Sequence, residues 1–173
     1  MKGLWDYKKA EAPFPYGGDD LTYKKAMDFL SDCEVVEDWG CGTAYAKRFC
    51  TIPKYVGIDG SESKFADKVA DLREYVSEAD GILMRHILEH NHDWRKVLEN
   101  ALKSFKKKFV LVIFTPFQEK TKVLALNAGY GNVPDIGFRK QDLEDLLQGF
   151  AYSEQALRTK TQYGVEHIFF VQR

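Results

Sequence analysis

Residues 109–114, FVLVIF, constrain the fold more than any other stretch of this chain. Six apolar side chains in unbroken succession leave no face for solvent, which excludes a half-exposed strand. Bounded by Lys106, Lys107 and Lys108 on one side and Pro116 on the other, the run reads as a strand buried on both faces. Such strands belong to parallel sheets covered by helices on either side. The rest of the chain supplies matching parts. Shorter strands read at 34–38 (EVVED), 55–59 (YVGID), 68–72 and 80–85 (DGILMR). Helices read at 22–30, capped by Asp20 or Thr22, and at 43–50. A third helix opens at Asn91 or Asp93 and runs through Phe105, with Trp94, Val97, Leu98, Ala101, Leu102 and Phe105 recurring at helical spacings. Strands alternating with helices predict an α/β fold: a doubly wound, mostly parallel sheet inside a three-layer α/β/α sandwich.

Residues 117–138 carry no regular pattern, and a polar-faced helix follows at 140–148. Segments 152–159 and 166–172, joined around Gln162-Tyr163-Gly164, leave no room for a crossover helix. They predict a C-terminal antiparallel hairpin, giving the sheet one antiparallel edge strand. At 173 residues, 45% hydrophobic and 29% charged, the chain reads as one domain over 1–173 that buries its core without disulfide or metal staples. Residues 1–20 form an aromatic leader in which Pro13, Pro15, Gly17 and Gly18 exclude a long helix. Its Phe14 and Tyr16, with Tyr23, are either an N-terminal lid over a ligand or core-packing aromatics.

Charge and cysteines exclude several classes. Lys and Arg total 25 against 26 Asp and Glu, without the basic surplus a sequence-independent nucleic-acid binder needs. The run Lys103, Lys106, Lys107 and Lys108 precedes the FVLVIF strand and reads as a solvated turn at the far end of the sheet. No apolar run approaches the ~20 residues that span a bilayer. The opening MKGLWDYKK lacks the apolar stretch of a secretory signal. Cys33, Cys41 and Cys50, an odd and widely spaced set, suit reduced thiols, so a cytoplasmic location is expected.

Function concentrates in residues 35–44, VVEDWGCGTA. A strand delivers the backbone to a glycine turn, the glycines permit close approach of a ligand, and a helix begins at once. A dinucleotide fingerprint requires a third glycine where Tyr45 stands, and a Walker phosphate loop requires a G-K-[ST] that is absent.

At Asp38-Trp39-Gly40-Cys41-Gly42-Thr43-Ala44 the chain resembles the class I S-adenosylmethionine-dependent methyltransferases, whose first motif is an acidic residue, any residue, then G-x-G-x-G. Only the last glycine departs, to Ala44, a small replacement expected to cost little. The resemblance implies a Rossmann-like fold and S-adenosylmethionine as cofactor. It places Asp38 toward the methionine ammonium and Gly40, Cys41 and Gly42 along the methionine moiety. Asp59 of VGIDG, 21 positions further on, matches the acid that accepts both ribose hydroxyls, with Gly60 beside it. Asp71, with Leu72, corresponds to the acid at the end of strand three that faces the adenine. Residues 80–90, DGILMRHILEH, are similar to the D-x-V…L-E-H stretch of many small-molecule methyltransferases. The implied function is methyl transfer by in-line displacement to a small-molecule or sugar-like acceptor, with residues 117–138 holding the acceptor pocket. A non-catalytic S-adenosylmethionine-binding module of the same fold is the alternative.

His86, Glu89, His90 and His92 crowd one stretch and admit three readings. H-x-x-E-H matches an inverted zinc-protease motif, which needs a helix presenting both imidazoles. Related O-methyltransferases carry E-x-x-E-H and bind a divalent metal, but His86 replaces their first Glu and shifts preference toward softer ions. The preferred reading is metal-free. Arg85 and His86 sit where the strand opens onto the methyl donor, Arg85 touching cofactor and reaction alike. His86 is then a general base or an orienter for the acceptor, and His90 a satisfied structural histidine. The D/N-P-P-Y/F signature of amino- and base-modifying enzymes is absent.

Overall fold

The computed structural model describes residues 10–15 and 19–173. The expected leader over 1–20 therefore falls largely outside the described residues, Tyr16, Gly17 and Gly18 included. Where it is described, the backbone of Phe14 and the Thr43 hydroxyl exchange hydrogen bonds of 3.1 and 3.2 Å beside the glycine turn.

The FVLVIF run is β5 (Lys108–Ile113), and Phe109 through Ile113 are all fully buried. Its side chains alternate between two cores. Phe109, Leu111 and Ile113 pack with Trp94, Val97, Leu98 and Ala101 of α2 (Trp94–Ser104) and with Leu143 of α3 (Lys140–Glu144). Val110 and Val112 turn to the other face, against Tyr23, Ala26 and Met27 of α1 (Leu21–Phe29) and Tyr45 and Ala46. Three layers follow from that alternation.

The parallel strands are β1 (Val35–Trp39), β2 (Lys54–Asp59), β3 (Lys68–Val69), β4 (Gly81–Arg85) and β5. With β8 (Ala151–Arg158) and β9 (Val165–Gln172) they form a seven-stranded sheet ordered β3-β2-β1-β4-β5-β9-β8. The C-terminal hairpin forms as expected, but its antiparallel strand is not the edge. β9 lies antiparallel between β5 and β8. Composition decides the order: β9 buries Ile168, Phe169 and Val171, whereas β8 is largely exposed and polar and suits a sheet rim.

Other elements depart from their expected lengths. The helix expected at 43–50 is a 3-10 turn, Tyr45–Phe49, entered through Ala44 in the left-handed conformation and left by an extended Cys50. β3 has two residues instead of the expected 68–72, because the backbone turns at Asp71, whose carbonyl accepts from the Glu74 and Tyr75 amides. α3 ends at Glu144, and 145–149 continue as turns. Residues 117–138, expected to be irregular, contain a second, two-stranded antiparallel sheet, β6 (Lys122–Asn127) and β7 (Val133–Gly137). No helix among the described residues is long and apolar enough to cross a membrane.

Candidate functional site

Parallel α/β sheets bind ligands beyond the C-terminal ends of their strands. There the chain encloses a cavity of about 620 Å³, lined by the ends of β1, β2 and β4, the glycine turn and the β6–β7 hairpin. All of the sequence-predicted site residues (Asp38, Gly40, Cys41, Gly42, Asp59, Gly60, Asp71, Leu72, Arg85 and His86) line it.

The glycine turn is pinned from below, the Gly40 and Cys41 amides both donating to the Ile58 carbonyl at 2.7 and 3.0 Å. Gly40 has φ +76°, and a Cβ there would stand 1.9 Å from Ile87 Cδ1, so both backbone and space demand glycine. Ala44 departs from expectation. It adopts φ 53°, a conformation that costs an L-residue roughly 1–2 kcal/mol, so replacing the motif's last glycine is not free.

Asp38 and Asp59 form the charged wall. The Tyr55 hydroxyl donates to Asp38 Oδ2 at 2.5 Å. Burial, reinforced by the charge of Asp59, pushes the Asp38 pKa up to about 7, against the pull of Tyr55 and Arg85. Asp59 is also buried and its pKa raised, although its two oxygens accept from the Gly42 amide at 2.9 Å and the Ser61 amide at 2.8 Å. Those bonds lash the glycine turn to the end of β2. Asp71 differs: the Arg73 guanidinium beside it holds its carboxyl down at about 2, and Arg73 reaches on to Asp93 at 3.4 Å. Arg73 was not singled out in the sequence, though it sits two residues from Asp71.

Arg85 is buried at the cavity floor. It donates to the Thr22 hydroxyl at 3.0 Å, the Tyr23 hydroxyl at 2.9 Å and Glu166 Oε1 at 2.8 Å, with its guanidinium over the Tyr23 ring. His86, at φ 57°, shares that carboxylate: its Nε2 lies 2.6 Å from Glu166 Oε1 and its Nδ1 3.4 Å from Arg85 Nη1. Burial and the neighbouring Arg85 charge push its pKa down to about 3 despite Glu166. A group so weakly basic is unsuited to a general base near neutrality, and of the two expected roles the geometry favours the orienter. Glu166 escaped the sequence reading. Its signal was a glutamate inside the buried apolar strand VEHIFFVQ, a place where a carboxylate needs a partner.

His86, Glu89 and His90 do not converge. Glu89 Oε1 accepts from the Phe114 amide at 2.6 Å, and His90 Nδ1 lies 3.0 Å from the Pro134 carbonyl. They follow a strand end and a 3-10 turn, Leu88–His90, instead of one helix face. No three His, Cys, Asp or Glu side chains among the described residues are grouped to hold a metal ion. His90 is tied as expected of a structural histidine, yet it also lines the cavity, with Asp135 Oδ1 at 3.4 Å.

Glu89 is fully buried with Oε2 unbonded, and burial pushes its pKa up to about 7 from 4.5. A raised carboxyl pKa stabilises the fold most below the unfolded value and loses that contribution as pH rises through the folded one. Between pH 4.5 and 7, the stability of the parent relative to Glu89→Gln should therefore fall by roughly 3 kcal/mol in urea titrations. A difference that stays level with pH would show that Glu89 ionises normally.

A family model for a methyltransferase domain matches residues 25–154. A search of curated proteins finds no match. Among solved structures, the chain is similar to the 1,6-didemethyltoxoflavin-N1-methyltransferase of Burkholderia thailandensis, with bound 1,6-didemethyltoxoflavin and S-adenosylhomocysteine. Identity is 17%, coverage 90% of this chain and 79% of that one, and the TM-score 0.64. The magnesium protoporphyrin IX methyltransferase of Synechocystis PCC 6803, with bound S-adenosylhomocysteine, gives 16%, 89%, 83% and 0.63. An O-methyltransferase family protein of Burkholderia thailandensis gives 14%, 89%, 56% and 0.60. At these identities the likeness concerns the fold, and the match over 25–154 carries the assignment: the chain belongs to the methyltransferase-domain family.

Proposed function

We propose that the cavity binds S-adenosylmethionine and that the protein transfers its methyl group to a small-molecule acceptor. One observation carries the reading: two buried carboxylates, Asp38 and Asp59, line a cavity wall beside a glycine turn whose backbone is open to a ligand. Buried carboxylates with raised pKa values favour an arriving cation, and S-adenosylmethionine carries an ammonium and a sulfonium. Asp38 would hold the ammonium, with Gly40, Cys41 and Gly42 along the methionine chain. Asp59 accepts from the Gly42 and Ser61 amides, with the Gly60 amide also drawn to it, and a carboxylate that offers about four acceptor positions keeps capacity toward the ribose hydroxyls. Gly60 stands beside that contact with only the Ala70 carbonyl near its would-be Cβ, at 3.9 Å. Asp71 and Leu72 would face the adenine, Asp71 kept ionised by Arg73.

When bound, S-adenosylmethionine supplies a methyl group on a sulfonium, already activated for in-line displacement. The chain's own contribution is positioning. Arg85 and His86, locked together by Glu166, fix the cavity floor at the end of β4. The β6–β7 hairpin and the β8–β9 turn, through Asn132, Pro134, Asp135, Thr161 and Gln162, would hold the acceptor. Titration calorimetry tests the reading. S-adenosylmethionine and its demethylated product should each bind once per chain, and absence of heat with both would overturn it.

A further inference from the structure

We infer that Tyr55 is a positioning residue of the donor site: its hydroxyl aims the Asp38 carboxylate at the donor ammonium and favours the ionised form, so that donor binding releases the proton that burial otherwise keeps on Asp38. This rests on the donor-site reading above and makes that site responsive to pH through one side chain.

Strand register builds the contact. In the parallel β1–β2 ladder Val36 pairs with Tyr55 and Asp38 with Gly57, so Asp38, Tyr55, Gly57 and Asp59 share one face of the sheet. Gly57, next in that row after Tyr55, carries no side chain, and a Cβ there would stand 2.9 Å from Cys41 Sγ. The Tyr55 ring packs, partly buried, against the core that contains Tyr45 and Ala46, with Lys47 Nζ 5.7 Å from its centroid. Burial and the Asp38 charge raise the phenol well above its ordinary pKa, so it stays protonated and donates. Its bond to Asp38 Oδ2 spans 2.5 Å, and among the described residues no other donor hydrogen-bonds that carboxylate.

The groups around Asp38 make Tyr55 the strongest support of its charge. Burial opposes ionisation most, and Asp59 at the end of β2 adds to that opposition. Arg85, at the end of β4, helps by its charge, but its guanidinium is bonded to Glu166 at 2.8 Å. The Cys41 and Cys50 thiols have raised pKa values and stay neutral. With the balance at about 7, neutral and ionised Asp38 coexist near neutrality. A neutral carboxyl offers no charge to an ammonium, so only the ionised fraction is competent to bind the donor.

The phenol engages Oδ2, which leaves Oδ1 for the ammonium at the cavity wall. As the donor enters, the carboxyl O–H bond of neutral Asp38 breaks and its proton passes to solvent. The bonding pair stays on the carboxylate, and the ammonium that faces it keeps all of its own protons. Taking the Tyr55 hydroxyl away shifts Asp38 toward the neutral form. More of the protein must then lose a proton on binding, and the donor is held less tightly.

Calorimetry of S-adenosylhomocysteine in two buffers of different ionisation enthalpy counts the proton. The parent should release roughly half a proton near pH 7, and Tyr55→Phe closer to a whole one. The variant should bind roughly fivefold more weakly near pH 7 and roughly tenfold near pH 6, and converge on the parent near pH 9. 5′-Methylthioadenosine has the adenine and ribose without the ammonium. It should bind parent and variant alike, and it accounts for any proton lost from Asp59. In an Asp38→Asn background, Tyr55→Phe should leave the pH profile unchanged. In the free protein, carbon NMR of carboxyl-labelled aspartate should show the Asp38 midpoint rising by about one pH unit in Tyr55→Phe. An affinity lowered equally at every pH, a proton count that does not rise in the variant, or an unmoved Asp38 midpoint would each overturn the proposal. If neither nucleoside binds, the donor-site reading falls and this proposal with it; if both bind, those three outcomes bear on the proposal alone.

Discussion

Glu166→Ala should cost about 3–5 kcal/mol of folding stability, the loss expected when one partner of a buried ion pair is removed. Glu166 Oε1 accepts from Thr22, Arg85 and His86, which belong to α1 and the end of β4, while Glu166 sits on β9. Both side chains of the Arg85–Glu166 pair are nearly sealed from solvent, at 4% and 1% exposure. Removing the carboxylate takes the Glu166 counter-charge from a buried guanidinium and sets the His86 ring loose on its strained backbone. Glu166→Gln keeps an oxygen for these donors and should lose less. Urea unfolding with an unchanged slope measures both, and a loss below about 1 kcal/mol for the alanine variant would show that Arg85 does not depend on Glu166.

Asp59→Ala should weaken S-adenosylmethionine binding tenfold to a hundredfold, the equivalent of about 1.5–3 kcal/mol for a charged acceptor. Its strand-end position suggests a change that spares the fold, but the structure adds a second cost. The Gly42 and Ser61 amides lose their acceptor, so the turn itself should loosen and the melting temperature fall. Asp59→Asn separates the effects. One amide oxygen can still hold the Gly42 amide, while the charge toward the ribose is gone. If calorimetry gives Asp59→Ala the parent's affinity, the end of β2 is not where the ribose binds.

What the sequence disclosed, and what it hid, divides along a physical line. Local patterns were legible: the apolar run 109–114, five of whose residues lie in β5, dictated burial on both faces, and the glycine turn between Asp38 and Ala44 could be placed at a strand end. Asp59 followed from the resemblance, at the end of the next strand 21 positions beyond Asp38. The partners of Arg85 and His86 were hidden, because Glu166 lies on β9 and reaches them only through the strand order of the completed sheet. His86 consequently stayed open between base and orienter, a choice on which burial and the neighbouring Arg85 charge bear by lowering its pKa. The β6–β7 hairpin escaped for another reason. KVLALN lacks a clean two-residue alternation, and Val123 and Leu126 on it are exposed, so no buried face announced a strand.

The interior position of β9 also bears on the order of synthesis. A ribosome releases β1 to β5 well before Val165 emerges, since β6, β7, α3 and β8 all intervene. Until then one flank of β5 offers unpaired amides and carbonyls along the most apolar strand in the protein, and the Arg85 side chain lacks its counter-charge. Exposed edges of that kind template pairing between chains. The growing chain is therefore most vulnerable to self-association between completion of β5 and arrival of β9. Fragments ending before Val165 should be insoluble even though they contain the whole glycine turn and both wall carboxylates.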